Sequence, residues 1–260
     1  MKISFQKKKG DPQLGVLFFW RMQIDVETPC TISDIFIPEL FYDYFYIEKG
    51  AMRCVDTKQE IDFLLPPQSL KTLYTHRLKF VLDVPIIVFG ARLSMSFAES
   101  FWMKEMPSNL FMEQNWVTCQ GDDLNTFASQ MTQTIQENRV KKTVASLFSA
   151  SLAESDWLRH YSARHKRRLV KSVFGISKKE IVAIRNLHLF LGQTCDFAAQ
   201  SPRIVEYVND AAYYDQPHLN HAFKKMTGLS PLAYFEANSI LQDNLMAASY
   251  NALPDWYDKM

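Results

Sequence analysis

The run Asp210 to Pro231, DAAYYDQPHLNHAFKKMTGLSP, decides the fold once it is set beside a second run, Ser162 to Lys179, SARHKRRLVKSVFGISKK. Both close on a matching phrase, Gly175-Ile176-Ser177 and Gly228-Leu229-Ser230, with the glycines 53 residues apart. Thirteen residues before each glycine stands a strong N-cap type, Ser162 and Asp215. Five before each lie Val170 and Phe223, and two before lie Val173 and Met226, all apolar. Each unit therefore predicts one helix of about eleven residues, opened by a side-chain cap and stopped by a glycine able to take the left-handed conformation just past the helix end.

The flanks extend the pattern. Ser177-Lys178-Lys179-Glu180 is a capping box, which predicts a helix from Lys178 to about Leu191. Ser230-Pro231 is a cap followed by proline at the first helical position. Arg203 to Ala212 places Ile204, Val208 and Ala212 on one helical face and turns at Tyr213-Tyr214 into the helix capped by Asp215. Ser155 to His160 is a shorter helix that turns at Tyr161 into the one capped by Ser162. Helix, tight turn and capped helix make a helix-turn-helix, so two such units are expected, bridged by the helix that begins at Lys178.

These residues resemble a known family. Asp210–Pro231 is similar to the C-terminal signature of the AraC/XylS transcription regulators, in which an alanine-rich helix end runs into an aromatic, Asp-Gln, His, a core aromatic, basic residues and Gly-x-Ser-Pro. Ser162–Lys179 resembles the family's first motif, a Ser-x-Arg opening, a basic helix and a Gly-x-Ser-x-Lys close. The resemblance covers residues 139–240. It implies an α+β chain: an N-terminal cupin-like β barrel or sandwich for effector binding or dimerisation, followed by an all-α double helix-turn-helix domain. The divisions expected are residues 1–120, a helical connector over 121–138, a DNA-binding domain over 139–246 and a tail over 247–260. Double-stranded DNA is the implied partner. A small-molecule effector, a homodimer and RNA polymerase are the further partners this reading admits, with no cofactor and no membrane. Three residues depart from the pattern. Tyr213 stands where the family usually has glycine, Pro217 lies in the first turn of its helix, and Lys166 sits where the second unit has Leu219 and must snorkel.

A helix that reads the major groove needs an apolar stripe toward its own domain and a polar face toward base edges. In the second unit Leu219 and Phe223 form the stripe, leaving Gln216, Pro217, Asn220, His221, Lys224 and Lys225 outward. Gln216 and Asn220 suit adenine, and Lys224 and Lys225 suit phosphates. His218 is expected to pack or cap the turn rather than read a base. In the first unit Arg164, His165, Arg167, Arg168 and Lys171 are the candidates, arginine being able to take guanine or a phosphate.

Charge agrees with this division. Residues 139–231 hold 15 Lys/Arg against 7 Asp/Glu, whereas residues 1–138 hold 13 against 17 and residues 232–260 hold 1 against 4. A basic segment between acidic ones is the footprint of a nucleic-acid module joined to something else. The chain's 47% apolar and 22% charged residues exclude disordered and collagenous classes.

Upstream the texture is that of strands. Phe41 to Ile47 is dense in aromatics, Glu48-Lys49-Gly50 supplies a turn signal, and Ala51 to Val55 resumes as a strand, which predicts a hairpin. Lys79–Val84 and Ile86–Leu93 read as two strands divided by Pro85. Leu124, Phe127, Met131 and Ile135 recur at helical spacing, as do Val140, Val144, Leu147 and Phe148. The aromatic run 41–46 is expected to pack a core rather than line a ligand pocket, and Arg92 to lie on the surface rather than hold an anion. Trp157 is expected in a core.

Catalytic readings find little footing. His76 is the single histidine of the first 120 residues, too few for a metal cupin. No Ser/His/Asp set, P-loop or HExxH motif occurs there. Cys30, Cys54, Cys119 and Cys195 stand far apart, as reduced thiols of a cytoplasmic protein do. The apolar run Leu14–Trp20 is too short for a signal-peptide core, and no stretch approaches the ~20 apolar residues of a membrane span. Two other readings stay open at the level of sequence: a protein-interaction module whose helix-turn-helix units have lost DNA, and a β-barrel enzyme with an appended helical domain.

Overall fold

Two long strands carry the β half. In the computed structural model, which describes residues 1–101, 106–118, 123–138, 161–194, 215–236, 240–241 and 243–246, they are β4 (Tyr42–Asp56) and β7 (Leu78–Leu93). They pair with each other antiparallel almost throughout. Around them lie β1 (Lys2–Lys9), β2 (Val16–Asp25), β3 (Cys30–Phe36), β5 (Ile61–Leu64), β6 (Gln68–Lys71) and β8 (Phe111–Glu113). The sheet runs β1-β2-β7-β4-β6-β8, with β3 on β7 and β5 on β4.

The turn signals at Gly50 and Pro85 mark one bend inside two strands, not the hairpin and the strand break expected. Lys49 pairs with Ile87 and Ala51 with Asp83, so Gly50 faces three residues of β7, Pro85 among them. A proline without an N–H is tolerated where the ladder is already broken by a bulge. Gly50 has φ +82, and a Cβ there would meet the carbonyl oxygens of Asp83 and Pro85 at 2.8 and 2.9 Å. At this bend β7 exchanges β3 for β2 as its neighbour, and β4 exchanges β6 for β5.

The bend folds the sheet back on itself. Phe80 pairs with Cys54, nine residues along β4 from Phe45. A straight strand would hold those positions about 30 Å apart, yet the rings of Phe45 and Phe80 are 6.1 Å apart. Trp20, Met22, Ile24, Phe45, Met52, Phe80 and Leu82 fill the inside of the fold. On the other face Phe19, Tyr42, Tyr44, Phe89 and Leu93 meet helices. Both faces are covered along the halves of these strands that hold residues 41–47 and 86–93, which is why 41–47 is apolar but for Asp43.

The outer face takes α1 (Met95–Phe101) and α2 (Leu124–Asn138). α2 buries Leu124, Phe127, Met131 and Ile135, the stripe its spacing predicts, with Phe127 edge-on to Phe19. Beyond it come α3 (Ala163–Phe174), α4 (Lys178–Thr194), α5 (Gln216–Thr227) and α6 (Pro231–Glu236). The chain is thus α+β, with the antiparallel sheet first and helices after it. Leu241 and Leu245 return to the inner cluster, and the Leu241 N–H donates to the buried Asp34 carboxylate at 2.6 Å.

Arg92 is a second correction. It is completely buried, paired with Glu39, 3.7 Å from Asp43, and set over the Phe41 ring at 4.3 Å. Residues 88–93 of its strand are all buried, on both faces, so no surface position is open to it. The expected helices over 155–160 and 203–212, the stripe from Val140 to Phe148, Trp157, Tyr213, Cys119 and Cys195 lie outside the described residues. Among the described residues no helix is long and apolar enough to cross a membrane, and no group of His, Cys, Asp or Glu could hold a metal ion.

Candidate nucleic-acid interface

The boundaries of α3 are set by local chemistry. Ser162 Oγ accepts the His165 N–H at 3.3 Å, and Gly175, at φ +78, ends the helix with its N–H on Lys171 O at 2.8 Å. Val170 and Phe174 are buried, with Leu169 and Val173 half-buried beside them. Arg164, Arg167, Arg168 and Lys171 are exposed, and His165 is half-buried. Lys166 is also half-buried, which is what a lysine in a leucine's place does when its stem lies along apolar surface.

α5 repeats the design. Asp215 Oδ1 accepts the His218 N–H at 2.8 Å, and Gly228 closes the helix at φ +72 with its N–H on Lys224 O at 2.8 Å. Leu219 and Phe223 are fully buried. Gln216, Pro217, Asn220, His221, Lys224 and Lys225 are exposed. Pro217 costs no internal hydrogen bond in the first turn. His218 contributes its backbone N–H to the cap while its ring is exposed.

α4 joins the two. The capping box closes as its sequence predicts: Ser177 N–H donates to Glu180 Oε2 at 2.7 Å, and Glu180 N–H to Ser177 Oγ at 3.3 Å. α4 buries Ile181, Ile184, Leu187, Phe190 and Leu191. Phe190 meets Phe223 of α5 edge-on at 5.8 Å, and Tyr234 of α6 meets Phe223 at 5.5 Å. The α5 stripe is therefore held from two sides.

The β half grips the far ends of both helices. The Met106 N–H donates to Ser172 O at 2.8 Å, and Tyr42 Oη to Phe174 O at 3.4 Å. The Arg77 guanidinium lies against Gly228, 2.6 Å from where a Cβ would stand. No feature of the sequence marked Arg77 for this place.

The electrostatics of α3 and α5 are one-sided. Neither helix contains a carboxylate. Lys171, Lys224 and Lys225 stand in the last turns, where the helix dipole favours cations. Arg164 and Lys166 stand near the start of α3, where the dipole opposes them. Helix stability alone selects against that placement. Arg168 Nη2 lies 3.2 Å from His165 Nδ1, and the Tyr161 ring stacks on His165 at 4.6 Å. Tyr161 joins this face unforeseen, since an aromatic just before a cap carries no distinctive signal.

No protein-family model matches the chain, and no curated protein matches it. Solved structures similar to it are of ToxT from Vibrio cholerae. An apo variant from strain SCE256 is 14% identical with a TM-score of 0.42, covering 88% of this chain and 99% of that one. ToxT from strain O395 bound to (E)-4-(8-methylnaphthalen-1-yl)but-3-enoic acid is 14% identical with a TM-score of 0.42, covering 81% and 99%. Wild-type ToxT bound to an unsaturated fatty acid is 12% identical with a TM-score of 0.37, covering 82% and 96%.

Proposed function

We propose that the chain is a sequence-specific DNA-binding transcription regulator of the AraC type, not an enzyme. α3 and α5 enter successive major-groove segments on one face of the duplex. The observation that carries this reading is the twofold use of one device: a capped, glycine-ended helix with a buried apolar stripe and an exposed face free of carboxylates, cationic in α3 and of cations and amides in α5. A major groove ~12 Å wide accepts one such helix. Arg164, His165, Arg167, Arg168 and Lys171 serve the first segment, and Gln216, Pro217, Asn220, His221, Lys224 and Lys225 the second. The β half, residues 1–120, is the regulatory part, open to a small-molecule effector or a second copy of the chain, and RNA polymerase is the protein partner.

Sequencing of oligonucleotides selected by the full-length protein tests the reading. The expected product is a bipartite motif whose halves lie about one helical turn, ~34 Å, apart. Selection that returns no enriched sequence leaves the interaction-module reading in its place.

A further inference from the structure

The first turns of α3 hold one imidazole ring in place. His165 is the third residue of the helix and Arg168 stands one turn further on, on the same face. Arg168 Nη2 lies 3.2 Å from His165 Nδ1. A guanidinium only donates, so Nδ1 accepts and carries no proton. The proton of the neutral ring is then on Nε2. A second proton would take the lone pair that Arg168 uses and set two cations side by side. Tyr161, one residue before the cap, lies flat on the imidazole, with ring centroids 4.6 Å apart and planes 22° from parallel. A flip of the imidazole would put a carbon where Nδ1 stands and lose the Arg168 bond.

The ring and its neighbour offer donors alone. His165 Nε2–H has no partner among the described residues, and Arg168 spends a single N–H on the ring and keeps the rest. α3 has no carboxylate to take them. In the major groove guanine shows two acceptors, N7 and O6. Cytosine shows a donor, adenine a donor beside an acceptor, and thymine an acceptor beside a methyl group. Donors without an acceptor therefore suit guanine, whereas an amide, which does both, suits adenine. The N-terminal residues of a recognition helix are the ones that meet base edges, and His165 stands there.

We propose that Arg168 and Tyr161 are positioning residues that hold His165 as a hydrogen-bond donor, and that this donor makes α3 select guanine at one base pair. The inference rests on the function proposed above for its DNA. The state of the ring does not, and is measured without DNA.

Two measurements on the full chain test it. Heteronuclear NMR of the histidine rings at pH 8 without DNA, with His165 assigned by the resonances missing from His165→Gln, is expected to find the His165 proton on Nε2 alone. Arg168→Ala is expected to admit the other tautomer. Oligonucleotide selection is expected to return a guanine at one position that His165→Ala relaxes, the other positions keeping their preference. Arg168→Ala is expected to relax that same position. Arg168→Lys still donates to Nδ1 and keeps the guanine; lysine does not replace an arginine that reads a base through two bonds, so this rescue separates positioning from direct reading. Tyr161→Phe keeps the stack and the preference, and Tyr161→Ala weakens it. His165→Gln is expected to move the preference toward adenine. If His165→Ala does not fold, the wild-type ring and the Arg168 variants decide. A ring proton on Nδ1, a site indifferent to His165→Ala, a loss spread evenly over all sequences, or Arg168→Ala acting at a different base pair each overturn the inference and leave the function proposed above standing. A chain that selects no sequence, although its His165 proton is on Nε2, sinks that function and the guanine selection with it.

Discussion

Cys54 shows how far the fold reaches into single-residue chemistry. It sits in β4 at 0% exposure, and burial, followed by the charges of Asp56 and Asp62, pushes its thiol up to about 12. At pH 8 roughly one part in ten thousand is thiolate, the form that reacts. Cys30, at the start of β3, is exposed. Brief alkylation of the native protein at pH 8, read by peptide mass spectrometry, is expected to label Cys30 and spare Cys54, and unfolding to expose both; equal native labelling would place Cys54 outside the core. Under the proposed function, residues of α3 and α5 separate by role in the same manner. Lys224→Ala is expected to weaken binding to all sequences alike, by loss of one phosphate contact. Gln216→Ala is expected to relax preference at one base pair, worth about 1–3 kcal/mol of discrimination. Identical profiles for the two variants across a library of sites would contradict the assignment. Arg92 marks the limit of residue-level reading. Its partners Glu39, Asp43 and Phe41 are brought to it by pairing between strands fifty residues apart in sequence, which a local pattern does not reveal.

Elements were legible in proportion to how locally they are determined. The caps of α3, α4 and α5 are made within four residues, so Ser162, Ser177 and Asp215 could be read directly, and the hydrogen bonds stand where the residue types imply. Replacing Asp215 by Ala removes one such bond and is expected to cost about 1 kcal/mol. Phe223→Ala opens the space between α4, α5 and α6 and is expected to cost about 3–5 kcal/mol. Urea denaturation of both variants checks the order, and a cap costing more than the core ring would mean that α5 is held by its end rather than by its stripe. The bend in β4 and β7 was misread for the opposite reason. Gly50 and Pro85 carry the residue types of turns, and only the ladder between the two strands decides that the chain continues through them. The Met106 and Arg77 contacts at the ends of α3 and α5 are likewise long-range. That the helices face solvent was legible; what anchors their far ends was not.

At the scale of the molecule the quantity on which the proposed function turns is the distance between α3 and α5. α4 supplies it as a 17-residue helix, about 25 Å long at 1.5 Å per residue. Phe190 fastens α4 to α5, and the β half fastens α3, so the spacing is a property of packed elements rather than of a linker. DNA sites with base pairs inserted between the two half-segments measure this rigidity. Five added base pairs turn the second segment to the opposite face of the duplex, and affinity should fall to that of a single segment. Ten restore the face but move the segment about 34 Å farther along the axis, beyond what α4 spans, so affinity should stay low. Recovery at ten would assign the two segments to separate copies of the chain and remove α4 from the role of spacer. Salt gives the independent check. With both helices engaged, each phosphate neutralised contributes about −0.9 to the slope of log K against log salt. The five-base-pair insertion should then flatten the slope as well as lower the affinity, because the cations of one helix no longer reach phosphates; an affinity loss with the slope unchanged would mean that the lost contacts were to bases alone.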